Sequence, residues 1–289
     1  MTISIAHLGP AGTYSEAATL AYVDGLKQRL DRSYVLKPYS SIARTLQAVV
    51  RGEAQLGVVP VENSLGGSVA VALDTLWQLD ALTIQQALVL PISHALLARA
   101  DALSHLNVVY SHPQALAQCQ LWLERYLPTA QLLSTQSTTE ALEKIHTDRT
   151  IGAIASSRAG QLYDVPVLAH PINDRLDNCT RFWVVSQSGF NLGVESPATE
   201  LHYVSLAFSL PKNLPGALVH PLQVLAARGI NMSRIESRPA KRSLGEYLFF
   251  IDFEAPGARV FWEDALKELE THTEIFKVWG HYSVWHLCD

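Results

Sequence analysis

The sequence is short of paired cysteines, of like-charge blocks and of long apolar runs, and each shortage removes a class of function. Its three cysteines, Cys119, Cys179 and Cys288, are odd in number, far apart and without a Cys-x-x-Cys pair. That argues against a disulfide framework and a structural zinc site, and it suits a reducing, cytoplasmic setting. The formal net charge of −5 comes with no run of like charges, so nothing draws in a nucleic acid. The most apolar stretch, residues 87–100, contains Pro91 and His94 and is too short to span a bilayer. Residues 1–6 lack a basic leader and read as a first strand. Eleven histidines include no His-Glu-x-x-His or other dense ligand spacing, so no metal is expected. His7, His94, His105 and His281 read as core or surface fillers.

What is present is apolar material: 289 residues, 48% hydrophobic and 17% charged, enough for two domains with real cores. Short apolar runs alternate with helical patterns. Strands are expected over 3–8 and 56–60, and helices over 15–26, 41–51 and 68–79. Ser41 is a good N-cap, with Ile42, Leu46 and Val49 on one face of the helix behind it. A long strand-like stretch over 81–98 leads into a second series: strands 107–110, 132–133 and 151–155, helices 113–126 and 138–146. A segment at 165–172 and a strand at 180–186 then return the chain to the first lobe, so two crossings form a hinge beside a cleft. The expected first domain is 1–188, with lobe one at 1–80 and 172–188 and lobe two at 81–171. Residues 187–200 have linker chemistry. Beyond them the order β, α, β, β, α, β over 200–289 is the ferredoxin-like α+β pattern.

Several segments carry candidate chemistry. The turn from Gly9 through Pro10, Ala11, Gly12, Thr13 and Tyr14 to Ser15 lies between a strand and a helix. Helix-start amides with the hydroxyls of Thr13 and Ser15 favour an anionic group there, although a plain capped turn fits as well. No Gly-Lys-Ser/Thr follows, so it is not a Walker loop. Glu62, Asn63 and Ser64 leave the end of an apolar strand, where open α/β sheets bind ligands; an Asx-capped turn is the plain alternative. His112 begins a helix as a candidate proton relay, and Gln114 and Gln118 share a face of it. Asn178, Cys179, Thr180, Arg181 and Phe182 put an amide, a hydroxyl and a guanidinium at a strand start. Strand alternation sends Thr180 and Arg181 to opposite faces, so they compete for the cleft, and Cys179, like Cys119, reads as structural.

Taken in order, these motifs, with Ser111-His112-Pro113-Gln114 and Glu236-Ser237-Arg238-Pro239, resemble the prephenate dehydratase family over nearly the whole chain. The resemblance implies a catalytic region of two α/β lobes around a cleft, like that of periplasmic binding proteins, and a C-terminal regulatory domain of the ACT type. It implies conversion of prephenate to phenylpyruvate without a cofactor, feedback by L-phenylalanine, and a homodimer or homotetramer. With no chorismate mutase segment ahead of the first strand, the chain reads as monofunctional. The family's essential threonine, asparagine and glutamine fall on Thr180, Asn63 and Gln118, and Phe182 suits an apolar wall near the departing carboxylate. The family's effector motifs fall on Gly216, Ala217 and Leu218 and on Glu236, Ser237, Arg238 and Pro239; Pro215 is expected in the first turn of the helix they open. Two departures, Asn231-Met232-Ser233-Arg234 and Leu225, bear on effector identity. Arogenate dehydratase and a non-catalytic amino-acid-responsive binding protein are the alternatives.

Overall fold

A computed structural model of the chain describes residues 2–135, 142–194, 202–255 and 259–287. The first series is β1 (Thr2–Leu8), α1 (Tyr14–Lys27), β2 (Ser33–Tyr39), α2 (Ile42–Val50), β3 (Leu56–Asn63), β4 (Gly67–Ser68), α3 (Ala70–Gln78) and β5 (Leu82–Pro91). There follow β6 (Ala95–Ala98), β7 (Val108–Ser111), α4 (Pro113–Gln118), α5 (Gln120–Tyr126), β8 (Gln131–Ser134), α6 (Leu142–Ile145), β9 (Ile151–Ala155), α7 (Ser157–Leu162) and β10 (Val167–Ala169). The chain then runs through β11 (Cys179–Gln187), β12 (His202–Ser209), α8 (Val219–Ala227), β13 (Met232–Pro239), β14 (Tyr247–Glu254), α9 (Arg259–Glu270) and β15 (Ile275–His286).

These strands make a mixed α/β fold of two sheets. The larger runs β13-β14-β12-β15-β5-β11-β3-β1-β2 with β4 beside β3, and the smaller runs β10-β6-β9-β7-β8. The return strand β11 lies between β5 and β3, antiparallel to both, as a chain coming home from the second series requires. The two crossings are tied together by backbone bonds, Ile92 N to Asn178 O and Ile172 N to His94 O. Asn173 adds a clasp, its Oδ1 accepting from His94 N and its Nδ2 donating to Ile92 O.

Helices cover both faces of the N-terminal part of the larger sheet. Leu46 and Val49 of α2 and Leu73 and Leu76 of α3 pack with Trp183, Val185, Phe250 and Trp279 on one face. Ala18, Tyr22 and Leu26 of α1 pack with Leu88, Leu90, Phe182 and Val184 on the other. Because β11 is covered on both sides, Phe182 to Val185 are continuously apolar between its polar ends. The C-terminal strands carry α8 and α9 over a core of their own, around Phe208, Ile251, Phe253 and Trp262.

Several expectations are corrected. The stretch 81–98 is two strands in different sheets, broken at 92–94 after Pro91. The helix over 113–126 is interrupted at Cys119 (φ −122°, ψ 15°). Pro215 and Gly216 do not open a helix: Gly216 has φ +82° in a preceding turn and α8 starts at Val219. Strand β2 and helix α7 were not foreseen, and residues 138–141 of an expected helix lie outside the described residues. The boundary after 187 also understates a connection, because β15 leaves the C-terminal sheet and pairs in parallel with β5, from Val284 opposite Ala87 to His286 opposite Val89. Gly280, at φ +151°, permits this, since a Cβ there would lie 2.7 Å from Ile84 O.

Candidate active site

A cavity of about 860 Å³ opens between the two sheets, lined by the 8–15 turn and α1, by Pro60 and Asn63 of β3, by Thr180 and Phe182 of β11, and by His112, Gln114 and Gln118 of α4. Opposite the crossings, the second series is tied to the turn: Ser156 Oγ donates to Gly12 O at 3.1 Å, Tyr163 Oη to Ala11 O at 3.1 Å, and Arg158 pairs with Glu16 at 3.5 Å. The two helix starts that border the cavity are capped. Thr13 Oγ1 accepts from Glu16 N at 3.3 Å and His112 Nδ1 accepts from Gln114 N at 3.3 Å. The hydroxyl of Thr13 therefore serves its own turn, while Ser15, buried within α1, still borders the cavity. Burial alone pushes the His112 imidazole below its ordinary pKa.

A ring of side-chain amides stands behind Thr180, and two backbone amides fix its polarity. Leu65 N and Gly66 N donate to Asn63 Oδ1 at 3.1 and 2.8 Å, so that atom is the carbonyl oxygen. Asn63 Nδ2 must then donate, its two hydrogens shared among Thr180 Oγ1 at 3.0 Å, Asn178 Oδ1 at 2.9 Å and Cys179 O at 3.2 Å. Asn178 Nδ2 in turn donates to Gln118 Oε1 at 3.0 Å, and Gln118 Nε2 returns to Asn63 Oδ1 at 3.1 Å. Ser64, outside the cavity, braces the ring: Oγ donates to Asn178 Oδ1 at 3.3 Å and accepts from Cys179 N at 3.0 Å. The consequence falls on Thr180. Its oxygen accepts from Asn63, which leaves its own proton free to point into the cavity.

Strand alternation settles the competition on β11. Thr180 and Phe182 face the cavity, and Arg181 turns to the other side. There it pairs with Glu62 at 2.8 Å and with Asp252 of β14 at 3.2 Å. Arg181 and Glu62, expected at the substrate, are thus held where the C-terminal strands meet the catalytic sheet. Cys119 is buried in the smaller sheet's core, and burial together with Asp174 pushes its thiol up to about 12. Both make it inert.

His94 corrects its reading as a filler. It lies in the first crossing, 3% exposed, and borders the cavity. Nε2 is 3.0 Å from Gln118 Oε1 and Nδ1 is 3.0 Å from Tyr14 Oη. Because Gln118 Oε1 is an acceptor, Nε2 carries the hydrogen. Tyr14 was likewise missed as a site residue, whereas Asn178 supplies the amide expected at the strand start. Partners 24 and 80 residues from His94 leave no local spacing to find.

Of the residues expected to hold the effector, Glu236, Ser237, Arg238 and Pro239 lie on β13, at the far edge of the C-terminal sheet from β15. Arg238 forks onto Asp74 of α3 at 3.0 Å through two nitrogens, joined by Lys241 at 2.7 Å. Glu236 lies 3.7 Å from Arg234 and 4.0 Å from Arg238. Ser237 and Pro239 are exposed. Gly216, Ala217 and Leu218 form the turn before α8, and among the described residues no hydrogen bond or ion pair joins them to residues 236–239.

Known proteins match this arrangement over most of its length. The prephenate dehydratase family model matches residues 5–189. A prephenate dehydratase of Lactococcus lactis subsp. lactis is 37% identical over 295 residues, covering 99% of this chain and 99% of its own. The crystal structure of the Arthrobacter aurescens prephenate dehydratase in complex with L-Phe superposes with a TM-score of 0.84 at 33% identity, covering 98% of this chain and 90% of that one. The quorum quenching acylase GqqA has a TM-score of 0.76 at 26% identity, over 99% of this chain and 98% of its own.

Proposed function

The chain belongs to the prephenate dehydratase family and is a lyase converting prephenate to phenylpyruvate, carbon dioxide and water in phenylalanine biosynthesis; we propose that Thr180, held by Asn63, is the hydrogen-bond donor on which that elimination turns. Aromatisation of the ring drives the reaction, so the protein must position the substrate and help hydroxide leave. Hydroxide leaves well only as a donor approaches it. A threonine hydroxyl is too weak an acid to surrender its proton outright, so Thr180 acts through an oriented hydrogen bond. The observation that carries this role is the bond from Asn63 Nδ2 to Thr180 Oγ1: with the oxygen accepting from the protein, the proton is what the substrate meets. Gln118 and Asn178 keep Asn63 in that orientation.

The start of α1 at Tyr14 suits a carboxylate, its first amides having no carbonyl one turn earlier. Phe182 gives the other carboxylate an apolar wall, which favours its loss as carbon dioxide; a strong cation there would stabilise the ground state. No Asp or Glu stands among the described lining residues, so the ammonium of arogenate would lack an anionic partner, and prephenate is the better fit. Acylase chemistry, the activity GqqA is named for, asks for a nucleophile activated by a base. Thr180 Oγ1 instead accepts from an amide, and His94 Nε2 is spent on Gln118.

Residues 1–188 form two lobes of the periplasmic-binding-protein type closing on the cleft, and residues 200–289 form a ferredoxin-like ACT domain. L-phenylalanine, the ligand of the Arthrobacter aurescens relative, is the effector. Its site combines the turn at Gly216, Ala217 and Leu218 with residues 236–239 across two copies, since one chain leaves the motifs unjoined. Among the described residues the terminal strand β13 pairs only with β14, and its open edge suits a homodimer or a pair of dimers. The setting is cytoplasmic.

Phenylpyruvate formation from prephenate, followed with and without L-phenylalanine, tests the reading. Thr180→Ala is expected to lower kcat by about 10²-fold to 10³-fold, the usual cost of a well-placed donor, with KM changed little, and Thr180→Ser to recover much of the loss. Near-normal turnover of Thr180→Ala would remove the assignment.

A further inference from the structure

The substrate of this cleft carries two carboxylates, yet neither Lys nor Arg stands among the described residues that line it. Two lining side chains, His94 and His112, can acquire a positive charge near neutral pH. Their surroundings differ. His112 Nδ1 accepts from Gln114 N, so a proton on it would break the cap of α4. His94 has a partner suited to a proton on either nitrogen. Nε2 faces the acceptor Gln118 Oε1. Nδ1 faces Tyr14 Oη at 3.0 Å, and that hydroxyl has Ser93 O at 2.7 Å to receive its own hydrogen. In the neutral state Tyr14 can donate to Nδ1. In the charged state Nδ1 donates to Tyr14 and Tyr14 to Ser93 O. One hydroxyl rotation separates two fully bonded states, and Gln118 keeps its donor in both.

We propose that His94 is a charge-compensating positioning residue: it is neutral in the empty cleft and takes up one proton as the dianionic substrate binds, becoming the cation the cleft otherwise lacks. This rests on the prephenate reading above. The ring is bonded by Tyr14 from α1 and Gln118 from α4, with Ser93 O behind the Tyr14 hydroxyl and Asn173 of the second crossing on the His94 backbone amide. The second crossing also carries His170, which reaches Ser93 Oγ at 2.8 Å, and Asp174, Arg175 and Asp177, which bond elsewhere, Asp174 to the amides of Leu121 and Trp122 and Arg175 to Asp177. Neither group that bonds the ring carries a fixed charge. Burial holds the imidazole below its ordinary pKa against the bond to Gln118, which raises it, so the empty site is unprotonated near neutrality. Two incoming negative charges shift it the other way. The proton balance agrees: prephenate dianion and one proton give phenylpyruvate anion, carbon dioxide and water, and uptake on binding brings a proton into the site before any bond breaks.

Calorimetric titration of the Thr180→Ala enzyme with prephenate near neutral pH, in phosphate, HEPES and Tris, reads proton uptake as the dependence of the apparent heat on buffer ionisation enthalpy. Uptake approaching one proton per site is expected, falling close to zero when His94→Gln is added. Tyr14→Phe keeps His94 but removes the oxygen facing Nδ1, so it reduces uptake and decides the matter if the His94 variant does not fold. In the wild type, KM rises by about tenfold per pH unit above neutrality while kcat stays flat, and the rise disappears in His94→Gln. Buffer-independent heat with an active wild type, or uptake that survives in His94→Gln and vanishes in His112→Gln, overturns this inference alone. A wild type that does not turn prephenate over overturns the reading beneath it as well.

Discussion

Replacing Asp252 with Asn tests how the C-terminal strands are fastened to the catalytic sheet. Asp252 is buried, and its Oδ2 accepts from Arg234 at 3.1 Å and Arg181 at 3.2 Å while Oδ1 accepts from Ser205 Oγ at 2.6 Å. The side chains of Asp252 and Arg234 are 3% and 6% exposed. Asn keeps the shape and removes the charge. Arg181 loses little, since it is a quarter exposed and keeps Glu62 at 2.8 Å. Arg234 keeps Ser68 Oγ at 3.3 Å and the carboxylate of Glu236 at 3.7 Å, so its buried charge loses its close ionic partner. Breaking a buried pair in this way costs about 3–5 kcal/mol; the lower end applies because Glu236 remains. At about 2–4 °C of Tm per kcal/mol for a chain of this size, Asp252→Asn should melt roughly 6–12 °C lower by scanning calorimetry. Glu236→Gln, at a partly exposed pair, should cost under about 1 kcal/mol. Asp252→Leu combined with Arg234→Met should recover part of the loss, because it removes both charges together. An Asp252→Asn melt within a degree or two of the wild type would refute the claim that this carboxylate holds the junction.

Gly280→Ala should destabilise the chain by about 1–3 kcal/mol, the usual cost of a disallowed backbone conformation, because its Cβ meets the backbone oxygen of Ile84 at 2.7 Å; an unchanged melting temperature would contradict the close approach of β15 to β5. Asp74 supplies a pH dependence. Burial works against its ionisation, but hydrogen bonds from Arg238 and Lys241 outweigh it and hold the carboxyl below the usual carboxylate range. A depressed folded-state pKa stabilises above the unfolded pKa and is lost as pH falls through the folded value. Acid below the ordinary carboxylate pKa should therefore loosen β13 from α3, and Asp74→Asn should flatten that part of the stability-pH curve; equal acid sensitivity in both would count against the pairing.

Legibility in the sequence followed how local the cause was. Ser41 is the N-cap of α2, as expected, accepting from Arg44 N at 3.2 Å, because a cap and its helix lie within a few residues. The split between Thr180 and Arg181 was legible from alternation alone, though which of them faced the substrate depended on Asn63, Glu62 and Asp252, all distant in sequence. Strand β2 stayed hidden because it pairs only at the sheet's edge, carries Lys37 and Pro38, and alternates between half-buried and exposed without a fully buried position. Pro91 did signal the break between β5 and β6, but the apolar residues on both sides carried the strand pattern through it. Gly216 suited a helix start by its neighbour Pro215, and its positive φ put it in a turn instead. His94 in an apolar stretch resembled packing, because the geometry that makes it chemical joins three segments.

The same strand start also bears on how a C-terminal effector acts on the cleft. Thr180 and Arg181 are adjacent residues on opposite faces of β11: one lines the cavity, and the other is gripped by Asp252 of β14. Asp252 also holds Arg234, two residues before Glu236 of the proposed effector site on β13. Strand β15 supplies a second link, bonded to β12 within the C-terminal sheet and to β5 beside β11. An effector changes the affinity of the cleft only by binding one arrangement of the chain more tightly than another. A sub-ångström turn of β13 or β14 that moved Asp252 would pull on Arg181, and the residue before it is Thr180, whose side chain faces the cavity. Aiming has a steep distance and angle dependence for a hydrogen bond, so regulation through this pair requires no closure of the whole cleft. It requires only that the Arg181 side of the strand and the Thr180 side share one backbone.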